Sequence, residues 1–331
     1  MSRHHRLLSA AVLGTTAALV LAACGGQSDA GGSSTAAPTT ATTTAAATSS
    51  SMASSASGMS SASAAGPSAT GSAPSSGTAA GIAGCTPTDL KTKKAGTLTI
   101  ATDDPAYDPW FSDNDPTNGK GFESAVAYAV ADRLGYAKDK VTWTRAKFNA
   151  AISPAPKDFD FDINQFSISE DRKKAVDFST GYYDVTQVVV TTKDSPIAGA
   201  KSIADLKNAK LGAQIGTTSL TALKNQIATA GNPAVFQTND LAVKALQNKQ
   251  IDGIVADLPT GFYMTAAQLD NGLIVGQLPV VGAPEQFGLL LEKGSPLTDC
   301  ASKAVDSLRA DGTLDKLRQT WLTAAGAPEL K

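Results

Sequence analysis

From about residue 97 onward, short β-branched and aromatic runs alternate with stretches of helical spacing, and Gly and Pro punctuate them. Thr97–Ala101 predicts a strand, and Phe122–Leu134 predicts a helix stopped by Gly135, a residue favoured just past a helix end. Val141–Arg145 and Phe161–Asn164 read as short strands, Val185–Thr192 as a longer β-branched one, and Lys210–Gln214 as another. A helix is expected from Thr218 to Ala230, and a second from a cap at Asn239 through Asn248. Gly253–Asp257 and Phe287–Glu292 complete the strands, Ser295-Pro296 opens a helix, and Gly312 separates it from a final helix ending near Leu322. Strands that alternate with helices predict an α/β fold with mainly parallel sheets. In such sheets ligands sit beyond the carboxyl ends of the strands, so the residues after each strand are the candidates for chemistry.

The first part of the 331-residue chain has no such pattern. Arg3 and Arg6 precede an apolar run from Leu7 to Ala23, shorter than the roughly 20 residues a membrane span needs and suited to an export signal. The run ends in Leu21-Ala22-Ala23-Cys24, which resembles a lipoprotein lipobox. Residues 1–24 are therefore expected to be a signal, with Cys24 lipidated and the protein extracytoplasmic, anchored to the cell membrane. From Ala30 to Thr88 no residue is charged, and Ser, Thr, Ala, Gly and Pro dominate. So little apolar side chain does not offset ordering entropy, and residues 25–84 read as a disordered tether.

Composition then excludes whole classes of chemistry. The two histidines, His4 and His5, both lie in the signal, so the remainder has none. That removes Ser-His-Asp and Cys-His catalysis and the usual zinc sites, and no metal or cofactor is expected. The net charge of −2 without a basic stripe argues against nucleic acid. With Cys24 lipidated, Cys85 and Cys300 remain as a pair in an oxidising compartment, where a disulfide would pin the start of the fold to its end. The alternative is two separate thiols, one of them exposed.

Four segments follow strands. Asp103-Asp104-Pro105-Ala106-Tyr107-Asp108-Pro109-Trp110-Phe111 is rich in prolines and aromatics and too polar for a core. Asn164-Gln165-Phe166-Ser167-Ile168-Ser169-Glu170-Asp171-Arg172 is a run of hydrogen-bonding groups closing on an arginine. Gly216-Thr217-Thr218-Ser219 sits at a helix start, and Asp257 precedes Pro259. These are parts for holding a zwitterion. A guanidinium forks a carboxylate, a helix start with Thr hydroxyls suits the same anion, and a carboxylate suits an ammonium. Tyr107 and Phe148 could flank the aliphatic part. Each also has a plainer reading: Arg172 as a solvated partner of Glu170 and Asp171, Gly216–Ser219 and Asp257 as helix caps, and the two rings as packing.

Taken together, the pieces resemble family 3 of the bacterial extracellular solute-binding proteins, the polar amino acid binders. They are Thr97–Asp103 with Tyr107, Gly121-Phe122-Glu123, Phe161–Arg172 running on to Val176-Asp177-Phe178-Ser179, Gly216-Thr217-Thr218, Ile251-Asp252-Gly253 through Asp257, and Ala310-Asp311-Gly312-Thr313. The resemblance implies a two-lobed periplasmic-binding-protein-like clamp on hinge strands, with lobe one at residues 85–190 plus 283–331 and lobe two at 191–282. It also implies that Arg172, Ser167 and Thr218 hold an α-carboxylate, Asp257 an α-amino group, and Asp103 nearby polar contacts, with Tyr107 and Phe148 beside the side chain. The partners implied are an amino acid and an ABC importer's permease, and the protein is expected to be a monomer. The pattern departs from the family at Asn164-Gln165 and in a first loop one residue longer before Tyr107, and both changes bear on the side-chain pocket. Arg145 and Lys147 read as surface charge or as a preference for an acidic ligand, while Asn164, Gln165 and Gln187 point to a polar one. The rival from another class is an enzyme, since cyclohexadienyl dehydratases resemble these binders; it would need a general acid, with Glu123 or Glu170 the candidates. A surface module that senses the ligand is the third reading.

Overall fold

The strand pattern resolves into two five-stranded sheets in the computed structural model, which describes residues 81–322 and 326–331. The signal, Cys24 and the tether up to residue 80 lie outside the described residues. The chain runs β1 (Leu98–Thr102), α1 (Phe122–Arg133), β2 (Val141–Arg145), α2 (Phe148–Ala151), β3 (Phe161–Asp162), α3 (Glu170–Lys173) and β4 (Val176–Val185). It continues through β5 (Gln187–Thr192), β6 (Leu211–Gln214), α4 (Thr218–Ala222), β7 (Ala234–Phe236), α5 (Asn239–Gln247), β8 (Gly253–Asp257), α6 (Leu258–Tyr263) and β9 (Gly272–Gln277). Then follow β10 (Glu285–Glu292), α7 (Thr298–Ala310) and α8 (Thr313–Trp321).

The first sheet has the order β2-β1-β3-β10-β4, and the second β7-β6-β8-β5-β9. Both are mixed rather than mainly parallel. In the first, β2, β1 and β3 run parallel and β10 runs antiparallel between β3 and β4. In the second, β7, β6 and β8 run parallel and β5 runs antiparallel between β8 and β9. The antiparallel pairings arise where the chain changes sheets, because a strand that leads directly into or out of a crossing has no helical return to make it parallel.

Only Thr186 separates β4 in the first sheet from β5 in the second. The expected division after residue 190 thus falls inside β5, all of which pairs in the second sheet. The chain returns between Gln277 and Glu285, and Thr186 Oγ1 donates to Gln277 Oε1 at 2.7 Å, tying the two crossings together. The C-terminal residues, expected in lobe one, join the second sheet. Glu329 bridges Gln277, Leu330 is buried in the second sheet's apolar core, and Lys331 exchanges hydrogen bonds with Lys201 and Ile203.

Each sheet has its own apolar core. The first is aromatic: Trp110, Phe111, Phe122, Phe161 and Phe287 are fully buried. Trp110 meets Phe122, Tyr183 and Phe287 at ring-centroid distances of 6.0, 5.6 and 5.6 Å. Such pairs contribute about 0.5–1.5 kcal/mol each beyond simple burial. The loop after β1, expected to be too polar for a core, therefore ends inside it, anchored by Trp110 and Phe111. Gly121 permits this approach: it has φ +94°, and a Cβ there would lie 2.5 Å from the Trp110 carbonyl oxygen. The Cys85–Cys300 disulfide, with Cα atoms 5.5 Å apart, pins the start of the fold to α7.

Candidate functional site

The carboxyl ends of β1, β3, β6 and β8 deliver their following residues to one cleft between the sheets. All the expected binding residues line it except Gly216: Asp103, Tyr107 and Phe148, then Asn164, Gln165, Ser167 and Arg172, and across from them Thr217, Thr218 and Asp257. Gly216 contributes its carbonyl instead. Pro105, Gln214, Asn239 and Thr260 also line the cleft, beyond the residues expected from sequence. Gln214 is the last residue of β6 and was open to the same strand-end logic; Asn239 was read only as a cap.

Arg172 is placed by its neighbours. Ser169 caps α3, its hydroxyl accepting from the Arg172 amide at 3.2 Å. The guanidinium donates to the Ser167 carbonyl at 2.6 Å and to the Gly216 carbonyl at 2.9 Å. It sits 5.4 Å from the Phe148 ring centre, and Phe148 stacks on Phe166 at 4.9 Å. Two of its five N–H groups are thereby committed to backbone, which fixes the plane and leaves the others free for a ligand. Burial lowers its pKa, opposed by the charges of Glu285 and Asp257. The solvated-pair reading does not hold, since Glu170 and Asp171 pair with Lys173 and Lys174 on the surface.

Opposite Arg172, Thr217 caps α4, its hydroxyl accepting from the Leu220 amide at 3.1 Å and donating to the Gln214 carbonyl at 2.7 Å. The Ser167 and Thr218 hydroxyls meet at 3.1 Å, bridging the two sheets' segments. Asp257 at the end of β8 accepts from Gln187 Nε2 at 2.7 Å, and the same amide reaches Glu285 at 3.1 Å. Thr218 donates to the other oxygen of Glu285. Burial, and then the charge of Glu285, push the Asp257 carboxyl well above the usual range, while the Gln187 hydrogen bond and Arg172 oppose them. Glu285 has no local sequence signal: it enters the site only because β10 runs beside β4, next to the crossing.

Beneath the cleft lies a second polar layer. Glu123 is fully buried and accepts from the Gln165 backbone amide at 2.7 Å, from the Gln165 side chain and from the Tyr182 hydroxyl. Burial is the main cause that raises its pKa, to about 7, against the pull of those donors. Gln165 has φ +47°, a left-handed conformation unusual for a side-chain-bearing residue, and Glu123 holds it there with two hydrogen bonds. Glu123 thus supports the floor without lining the cleft, and Glu170 is on the surface. Arg145 and Lys147 are spent on the first loop, where Arg145 donates to the Asp103 carbonyl and Lys147 pairs with the Asp103 carboxylate at 3.1 Å.

The chain is similar in sequence and fold to known proteins. The model of the bacterial extracellular solute-binding proteins, family 3, matches residues 98–324. The L-cystine-binding protein TcyA of Bacillus subtilis is 32% identical over 235 residues, covering 69% of this chain and 82% of that one. The arginine-binding extracellular protein ArtP of the same species is 28% identical over 225 residues, covering 66% and 83%. Among solved structures, an ancestral arginine-binding protein bound to glutamine aligns with a TM-score of 0.57 at 31% identity, over 69% of this chain and 98% of that one. An ancestral amino acid-binding protein described as a precursor of cyclohexadienyl dehydratase aligns equally well, with a TM-score of 0.57 at 29% identity, over 69% and 96%. On sequence and fold, this chain belongs to the bacterial extracellular solute-binding proteins, family 3.

Proposed function

We propose that the cleft captures a polar amino acid outside the cell and hands it to an ABC importer, the protein being held at the membrane by a lipid on Cys24. The observation that carries this reading is the opposition of one guanidinium and one carboxylate across a single cleft: Arg172 follows the first sheet and Asp257 ends a strand of the second. A zwitterion satisfies both groups at once, with its α-carboxylate on Arg172, Ser167 and Thr218 and its ammonium on Asp257. Each charge-assisted bond is worth roughly 1.5–3 kcal/mol. The side chain then lies between Tyr107 and Phe148 and ends near Asp103, Asn164 and Gln165.

The two sheets act as lobes, with Thr186 and residues 278–284 as the crossings between them. A ligand that touches both lobes favours the closed arrangement by its differential affinity for that state, and the importer reads the closed shape. The relatives named for arginine and cystine, and the ancestral protein holding glutamine, support an amino acid as the ligand class. Glu123 and Glu170, the acids considered for a dehydratase, do not line the cleft, and it is the relatives named as amino-acid-binding proteins that favour binding over chemistry.

The test is a melting-temperature screen of the purified chain against each amino acid, with Arg172→Ala in parallel. Ligand at about a hundred times its dissociation constant adds roughly 2.7 kcal/mol, a rise of about 5–10 °C for a domain of this size. A shift with one or a few amino acids that disappears in Arg172→Ala supports the clamp. Shifts that survive in the variant, or that come only from other solutes, overturn it.

A further inference from the structure

The two segments that close over the amino-acid cleft also build a second, separate groove. The loop after β1 gives Asp103, Pro105 and Tyr107 to the cleft but Asp108 and Pro109 to the groove. Likewise α6 gives Thr260 to the cleft, and Leu258, Pro259, Phe262 and Tyr263 to the groove. Tyr183 of β4 completes the lining on the first-sheet side. Trp110 Nε1 lies 3.4 Å from Thr260 Oγ1, joining the two segments where the sites meet. The groove has a cavity volume of about 190 Å³.

Its chemistry is unlike that of the cleft. Three half-buried aromatic rings, two prolines and a leucine form the walls, and the one charged group on the lining is Asp108. Among the described residues no side chain pairs with the Asp108 carboxylate, and neither the Tyr183 nor the Tyr263 hydroxyl has a hydrogen-bond partner. No Lys or Arg lines the groove. Aromatic faces attract a cation that is weakly hydrated, an unpaired carboxylate at the rim adds a charge contact, and the apolar walls favour a ligand with a hydrocarbon body.

We propose that this groove binds a small organic cation, a quaternary or substituted ammonium with an apolar or aromatic body. Because Asp108, Pro109 and Tyr183 belong to the first-sheet side and α6 to the second, such a cation bridges the lobes. By linkage it tightens amino-acid binding in the cleft as the amino acid tightens binding of the cation. That coupling, though not the binding itself, rests on the closure proposed above.

The probe is benzyltrimethylammonium chloride, titrated calorimetrically into the purified chain, with benzyl alcohol as the aromatic body without the charge. Saturable binding is expected, weakened at least about tenfold in Asp108→Asn and in Phe262→Leu, with benzyl alcohol binding at least about tenfold more weakly than the cation. Binding is expected to persist in Arg172→Ala, so failure of the amino-acid reading leaves this result standing. With the cleft filled by an amino acid, affinity for the cation should hold or rise. The proposal is overturned by the absence of saturable binding, by equal binding of benzyl alcohol, by an indifferent Asp108→Asn variant, or by competitive displacement when the cleft is filled. Displacement would place the probe in the cleft itself.

Discussion

Arg172 Nη2 lies 2.9 Å from the carbonyl oxygen of Gly216, so a side chain on a four-residue helix of the first lobe closes directly onto the turn that leads into α4 of the second. The geometry depends on a planar fork, because one edge serves two backbone carbonyls while the rest faces the cleft. Lysine offers a point charge and no fork. Arg172→Lys is therefore expected to lose nearly as much affinity as Arg172→Ala, on the order of a hundredfold for either. Both should melt within about 1 kcal/mol of the parent when unliganded, since the side chain is only half-buried. Calorimetric titration of the parent and both variants with the ligand checks this; a lysine variant that binds within threefold of the parent would show that charge alone suffices.

Asp257 carries a cost in the empty protein. Its folded pKa lies above its unfolded value because burial and the neighbouring Glu285 disfavour the anion. The folded state therefore holds the proton more tightly than the unfolded chain does. This contribution favours folding at acid pH and is lost as pH rises from the usual carboxylate range through the raised folded value. Asp257→Asn removes that loss, so the unliganded variant should be more stable than the parent at pH 8 and nearly equal at pH 4, by on the order of 2 kcal/mol at the alkaline end. Its affinity for the ligand should drop about a hundredfold, because the ammonium loses its counter-charge. Melting curves at the two pH values, with and without ligand, separate the effects. A variant less stable than the parent at pH 8 would contradict this account.

The same shift predicts proton release. An ammonium placed on Asp257 favours the anion, so ligand binding near pH 7 should expel part of a proton from the site. Titrations in two buffers of different ionisation enthalpy would then give different apparent heats, and the difference should vanish in Asp257→Asn. Equal heats in both buffers for the parent would mean that Asp257 is already ionised in the empty cleft.

Much of this site was open to reading because strand ends announce themselves. β2 and β8 fall where the β-branched runs put them, α1 begins at the expected Phe122, and the residues after β1, β3, β6 and β8 reach the cleft. The errors have local causes. Thr238, not Asn239, caps α5, its hydroxyl accepting from the Leu241 amide at 3.3 Å. Ser295-Pro296 makes a turn, closed by the Thr298 amide on the Ser295 carbonyl, before α7 starts at Thr298. The helix expected from Thr218 to Ala230 widens into a π-turn and stops at Ala228, which takes the left-handed conformation. Gln187 shows in the sequence only as a polar group, and Glu285 not at all: what brings them to Asp257 is the pairing of β5 with β8 and of β10 with β4, strands far apart in sequence that no window along the chain contains.

The disulfide closes nearly the whole fold, since Cys85 and Cys300 are 215 residues apart. In the chain-entropy account such a loop restricts the unfolded state by up to about 5 kcal/mol, and native disulfides commonly contribute 2–5 kcal/mol. Cys85→Ser with Cys300→Ser should lower the melting temperature by about 5–15 °C. Ligand affinity should change less than threefold, because neither cysteine touches the cleft. A double variant that melts with the parent would mean that the first core alone fixes the N-terminal segment.

Gly216 offers a test of closure that leaves every ligand contact in place. Its φ is +77°, and a Cβ there would lie 2.5 Å from Asn149 Oδ1 and 3.3 Å from Ile152 Cδ1. Asn149 sits on α2, which follows a strand of the first sheet, whereas Gly216 follows a strand of the second, so the clash arises only when the lobes meet. Gly216→Ala therefore carries two penalties. The left-handed backbone costs roughly 1–2 kcal/mol wherever the lobes stand, and the crowding acts on the closed form alone. Stability should fall by the first, and ligand affinity by about tenfold through the second, chiefly as faster dissociation. Adding Asn149→Ala should restore much of the affinity and none of the stability, a non-additivity that a double-mutant cycle reads directly. If the second substitution restores nothing, the loss belongs to the backbone and the lobes do not close at this contact.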